Sequence, residues 1–188
     1  MDRREAVKYI SLIMGGTVVG SAAILSGCKS ATGTNQNWSE EDLELIAEIA
    51  DTIIPETDSP GAKEAKVGPF IALMVDDCYE AKDQAEFRKG LGLINEKAMI
   101  KYGDKFVKLS AEERTALLNE LDKEQKEYTN SKTPEQATHY FRLMKELTTL
   151  GYFSSELGAT KARRYTPIPG KYEACIDYKP GEKAFQYG

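Results

Sequence analysis

With 25 Lys+Arg against 30 Asp+Glu over 188 residues, the chain carries a formal net charge of −5. That acidic surplus argues against a nucleic-acid binder, which needs a basic face for phosphates, and against a protein held to anionic lipid by charge. One histidine among the 188 residues leaves no second imidazole to build a zinc site.

The first 28 residues are the most informative. Met1-Asp2-Arg3-Arg4-Glu5-Ala6-Val7-Lys8 is followed by an apolar run that ends at Leu25-Ser26-Gly27-Cys28. Arg3 and Arg4 in tandem ahead of a Gly-rich hydrophobic stretch read as a twin-arginine export signal, although Ala6 and Val7 replace the bulkier residues usual there. Leu-Ser-Gly-Cys resembles the lipobox of bacterial lipoproteins, in which the cysteine becomes the acylated first residue. No charge lies between Lys8 and Lys29, so length alone would also permit a membrane span. The charged start, apolar middle and small-residue end favour a cleaved signal over residues 1–27. Its removal leaves 161 residues, the size of one domain, with 22 basic and 28 acidic side chains. The expected location is the periplasmic side of a bacterial membrane, reached by the twin-arginine route and held there through lipidated Cys28.

Residues 28–37 are rich in Ser, Thr, Gly and Asn and read as a flexible tether. A helical domain follows over 38–188. Ser39 caps a helix whose first turn is Glu40-Glu41-Asp42, with Leu43, Ile46, Ala47, Ala50 and Ile53 at helical spacing up to Pro55. A turn-rich connection runs from Pro55 to Pro69. Phe70, Leu73, Met74 and Asp77 open a second helix with Cys78 near its end. A third runs from about Asp83 to Tyr102 and stops at Gly103. Ser110-Ala111-Glu112-Glu113 is a capping box for a fourth, striped by Leu117, Leu118 and Leu121. Thr133-Pro134-Glu135-Gln136 reads as a second capping box, opening a fifth helix that buries Ala137, Tyr140, Phe141, Met144 and Leu147, with Leu150 at the margin of the same stripe, and stops at Gly151. The expected fold is an all-α bundle.

Residues 152–188 differ in character. Pro167, Pro169 and Pro180 forbid a long helix, and five tyrosines fall in the segment. Tyr-rich extended chain suits protein contacts, since each ring covers much area while its hydroxyl can still pair. Tyr152, Phe153, Tyr165, Tyr172 and Tyr178 are therefore the candidate partner contacts. An arm that merely wraps its own bundle is the other reading. With Cys28 assigned to lipid, Cys78 and Cys175 form an even pair in an oxidising compartment. A disulfide between them would contribute about 4–5 kcal/mol by loop closure; two separate thiols are the alternative.

The search for chemistry finds little. His139 stands alone beside Tyr140 and reads as packed or surface rather than as a general base. No Cys-x-x-Cys-His, phosphate loop, Gly-x-Gly-x-x-Gly or Gly-x-Ser-x-Gly is present. Asp76, Asp77, Glu80 and Asp83 form an acidic cluster that reads as a solvated helix end before it reads as a calcium or carboxylate site. No catalytic, cofactor or metal residue is expected.

Several motifs in order nevertheless resemble one family. They are Ala50-Asp51-Thr52-Ile53-Ile54-Pro55-Glu56-Thr57-Asp58-Ser59-Pro60-Gly61-Ala62, Val67-Gly68-Pro69-Phe70-Ile71 and Asp76-Asp77-Cys78-Tyr79. The run Phe141 to Glu156, then Tyr165-Thr166-Pro167-Ile168-Pro169-Gly170 and Tyr172-Glu173-Ala174-Cys175, completes the pattern. Together they resemble the gluconate 2-dehydrogenase subunit 3 family over about Trp38 to Tyr178. The resemblance implies a small, cofactor-free subunit of a periplasmic sugar or sugar-acid dehydrogenase. Its catalytic partner would be a glucose–methanol–choline-type flavoprotein carrying FAD, with a cytochrome c subunit often passing electrons onward. In that family the small subunit supplies the twin-arginine signal. The lipobox at Cys28 departs from the family pattern and adds an anchoring role. The reading from a different class is a stand-alone periplasmic lipoprotein binding module without an enzyme partner.

Overall fold

The computed structural model describes residues 38–168, 170–171, 175, 177 and 179–187. Arg3, Arg4, Cys28, the signal and the tether lie outside the described residues, as do Tyr172 and Tyr178. Five α-helices account for most of what is described, and the fold is all-α with an irregular C-terminal arm.

Local chemistry sets most helix ends. Helix α1 spans Glu40–Ile53. Ser39 Oγ accepts from the Asp42 amide at 3.1 Å while the Asp42 carboxylate accepts from the Ser39 amide at 3.3 Å, so two orphan amides are satisfied reciprocally. Helix α2 spans Val67–Cys78 and starts before Phe70, with Pro69 in its first turn. Proline is tolerated there because the amide it lacks would have no intrahelical partner. Helix α3 spans Ala81–Tyr102 and ends at Gly103, whose φ of 82° is the left-handed conformation that glycine adopts without strain. A 3₁₀ turn over Phe106–Lys108 leads to α4, Ala111–Ser131. There Ser110 Oγ accepts from the Glu113 amide at 3.3 Å, and the Glu113 carboxylate accepts from the Ser110 amide at 2.9 Å.

The fifth helix departs from expectation at both ends. Helix α5 spans Tyr140–Ser154, and Thr133 to Gln136 forms only a turn. Half of the anticipated box is made, with Gln136 Oε1 accepting from the Thr133 amide at 2.9 Å. Distant groups then claim the next backbone atoms. Asp83 accepts from the Thr138 amide at 2.7 Å, and the Tyr128 hydroxyl donates to the Ala137 carbonyl at 3.0 Å. These bonds hold the segment out of the helix, and His139 becomes the cap, its Nδ1 accepting from the Phe141 amide at 3.2 Å. At the other end Gly151 does not stop the helix. A Cβ there would lie 2.5 Å from Phe70 Cδ1, so the glycine serves the close approach of α2.

Helix α5 packs against all four other helices. Tyr140, Phe141, Leu143, Met144, Leu147 and Tyr152 from α5 are buried in one cluster with Ile46 and Ile49 of α1, Ile71 and Val75 of α2, Phe87 and Ile94 of α3, and Leu117 and Leu121 of α4. Burying each of these side chains contributes roughly 1.5–3 kcal/mol, which outweighs weak local propensity. Beyond α5 a π-helical turn, Gly158–Ala162, leads into β1, Arg164–Thr166. This pairs in parallel with β2, Phe185–Tyr187.

Candidate functional site

The outward face where α2 meets α5 carries the most telling surface. Helix α2 reads Val-Gly-Pro-Phe-Ile-Ala-Leu-Met-Val and holds no charge between Lys66 and Asp76. One side, with Ile71, Ala72 and Val75, is buried in the bundle. The other leaves Leu73 59% exposed, beside half-buried Phe70 and Met74. Phe70 fills the space over Gly151, and the neighbouring Leu150 is 52% exposed. A helix that is apolar all round is normally buried, so this face lacks a cover within the described residues. The sequence places Leu73 on the second helix without fixing which face it takes, and the missing charge on the helix's far side is the signal that marks this face as exposed.

The expected partner contacts divide. Tyr152 is a core residue, 1% exposed, whose hydroxyl donates to the Pro60 carbonyl at 2.6 Å, so it is not a partner contact. Phe153 is half-buried, with the Arg163 guanidinium 3.9 Å over its ring. Tyr165 stands on β1, 44% exposed, and keeps its candidacy.

The cysteine pair is also corrected. Cys78 and Cys175 are both free and exposed. The Val67 end of α2 lies against Gly151 near the end of α5, and the arm is tied to the bundle there, Gln186 Nε2 donating to the Phe153 carbonyl at 2.9 Å. Cys78 closes the other end of α2, eleven residues from Val67 and about 16 Å along the axis. Its Sγ instead lies 3.8 Å from Met74 Sδ.

The acidic cluster is dispersed into structural roles. Asp76 accepts from Trp38 Nε1 at 2.8 Å and from Arg88 Nη2 at 2.5 Å, and the Arg88 guanidinium lies 3.8 Å over the Trp38 ring. This clasp fixes the point at which the chain enters the bundle. Glu80 pairs with Lys82 at 3.0 Å, and Asp83 holds the Thr138 amide. Among the described residues no group of three or more His, Cys, Asp or Glu is placed to hold a metal ion.

Several clefts open on the bundle. One of about 400 Å³ lies between α3 and α4, with Leu117, Leu121 and Ile100 along it and Lys97–Glu124 and Lys101–Glu120 ion pairs across it. Another of about 190 Å³ is lined by Thr52, Asn119, Asp122 and Lys145 over Phe141. Hydrogen bonds from Lys126 and Lys145 hold the Asp122 carboxyl down at about 2, so it stays ionised and paired. Glu48 is pushed up by burial, but Lys63 and Arg114 outweigh that and keep its pKa below the usual carboxylate range. These carboxylates join helices as fixed negative charges.

His139 is buried, its ring stacked on Tyr140 with centroids 4.4 Å apart. Burial lowers its pKa against the opposing pull of Glu124 and Glu86, with Lys97 adding to the lowering. The neutral ring is the form that caps α5, since Nδ1 must accept. The folded pKa therefore lies below the unfolded value of about 6.5. The unfolded chain binds the extra proton first, so stability is full above about pH 6.5 and declines as pH falls toward the folded pKa. Melting temperature is expected to drop between pH 7 and pH 5.5, and His139→Asn, which can still cap, is expected to flatten that slope. An unchanged slope in the variant would assign it elsewhere.

The profile of the gluconate 2-dehydrogenase subunit 3 family matches residues 40–170, from the start of α1 to just past β1. The chain belongs to the gluconate 2-dehydrogenase subunit 3 family. This places it among the subunits of dehydrogenase complexes. No curated protein and no solved structure matches the chain. For a subunit-3 chain the uncovered α2–α5 face and exposed Tyr165 are the features that call for a neighbour. Among the described residues no helix is long and apolar enough to cross a membrane.

Proposed function

We propose that this subunit-3 chain is the non-catalytic escort, stabiliser and lipid anchor of an FAD-dependent sugar or sugar-acid dehydrogenase on the periplasmic side of a bacterial membrane. The observation that carries the reading is the family match over residues 40–170. Two others support it. Arg3-Arg4 and Cys28 supply an export signal and a lipid site, and the apolar α2–α5 face offers a flavoprotein a surface to bury. In this scheme the folded bundle binds the flavin-loaded partner in the cytoplasm. The arginine pair commits both to export, and acylated Cys28 holds them at a membrane. A single acyl chain binds only marginally, so stable anchoring uses the multiply acylated lipoprotein form. Flavin chemistry belongs to the partner, and a cytochrome c subunit would carry electrons away.

A strain lacking this chain tests the proposal. Periplasmic dye-linked oxidation across a sugar and sugar-acid panel is expected to vanish and to return when the chain is supplied in trans. The substrate lost and regained identifies the partner's specificity. Unchanged activity in the deletion strain would contradict the escort role.

A further inference from the structure

The β1–β2 ribbon is incomplete as it stands. Parallel strands occur almost entirely within larger sheets covered on both faces, and a two-stranded ribbon is marginal alone. Here Arg164 pairs with Phe185, Tyr165 with Gln186 and Thr166 with Tyr187, and among the described residues no third strand joins them. The ribbon is nonetheless firmly mounted. Gln186 Nε2 donates to the Phe153 carbonyl at 2.9 Å, and Arg163 Nη1 donates to Gln186 Oε1 at 3.3 Å. The Arg164 amide donates to the Ala184 carbonyl at 2.9 Å.

That last bond fixes which groups face outward. Backbone direction alternates along a strand, so Arg164 and Thr166 turn toward β2 while the Tyr165 N–H and C=O turn to the open side. Edges that must stay unpaired are commonly blunted by a bulge, a proline or a charge. The central position of β1 is an exposed tyrosine, and Pro167 follows only where the strand ends.

Charge selects the occupant. Residues 158–188 hold six basic and three acidic side chains, a net of +3, whereas 38–157 hold 15 and 25, a net of −10. Pairing this edge with the same edge of a second copy would bring two positive segments together. An acidic strand meets no such repulsion.

We propose that an extended acidic segment of the flavoprotein subunit adds to the open edge of β1 at Tyr165 through main-chain hydrogen bonds. The proposal rests on the subunit reading above. It adds the mode of contact, a strand completing a sheet, to the apolar docking face.

Full-length Tyr165→Pro and Tyr165→Ala test it after extraction from membranes. Proline removes the one outward amide at the centre of the edge and leaves the Arg164 and Thr166 amides in place. Alanine removes only the ring. The proline variant is expected to lose about tenfold of its co-purifying flavin, equivalent to about 1.4 kcal/mol, with an unchanged melting temperature, while alanine loses much less. Amide exchange at Tyr165 in the wild-type complex, against the isolated chain, is the second readout and is expected to slow. Wild-type flavin recovery in the proline variant, equal losses in both variants, or unchanged exchange would each overturn the edge proposal alone. A wild-type dimer abolished by proline would give the edge to a second copy and also overturn it. A wild-type chain that brings no flavin would overturn the subunit reading and this proposal with it.

Discussion

Gly90→Ala is expected to destabilise the bundle by about 3 kcal/mol, a fall in melting temperature of roughly 6–12 °C for a chain of this size. A Cβ at Gly90 would lie 2.3 Å from Tyr140 Cγ and 2.4 Å from Tyr140 Cβ, the root of that side chain rather than its far end. Tyr140 is 4% exposed and stacked on His139, so it has little room to swing aside. Helix propensity predicts the opposite sign, because alanine is favoured over glycine in a helix by about 1 kcal/mol. Gly92 separates the two effects. It lies on the same helix with nothing within 4 Å of its would-be Cβ, and Gly92→Ala is expected to stabilise by roughly 0.5–1 kcal/mol. Thermal melts of the two variants should move in opposite directions. A shift of the same sign in both would contradict the α3–α5 packing.

Replacing Arg3-Arg4 with Lys-Lys is expected to leave both this chain and its flavoprotein in the cytoplasm. Lysine preserves the charge but not the planar fork of donors that a receptor can read. A signal needing only positive charge would tolerate the change, and a twin-arginine signal would not. The described domain begins at Trp38, well beyond the substitution, so the melting temperature of the variant should match wild type. Cys28→Ser is the complementary variant, expected to export both proteins and then release them from the membrane. Fractionation followed by flavin fluorescence reads both outcomes. Normal export of the flavoprotein by the lysine variant would sink the escort role.

Where an element depended on neighbouring residues, it was legible in the chain. The Ser39 cap, the Ser110 box and the Gly103 stop each need contacts only within one or two helical turns, and all three formed. The start of α5 was misplaced because Asp83, 55 residues before Thr138, takes the amide that would have begun the helix. Tyr152 was grouped with the arm because Gly151 looked like a stop. Its true role is set by Pro60, 92 residues earlier, and by Phe70 filling the glycine's space. The cysteine pairing rested on compartment and parity, neither of which carries distance. Candidate site residues were legible only in part. Tyr165 stood out as an aromatic on an irregular segment, but β1 and its open edge depend on a partner strand about twenty residues on. The α2–α5 face was hidden by a spacing that fits a core helix equally well.

The most direct test of the central claim is to purify this chain from native membranes and record the absorbance spectrum of what comes with it. The subunit reading predicts a yellow complex in which a flavin-bearing partner accompanies the chain and oxidises a sugar or sugar acid. A colourless preparation containing the chain alone would contradict it.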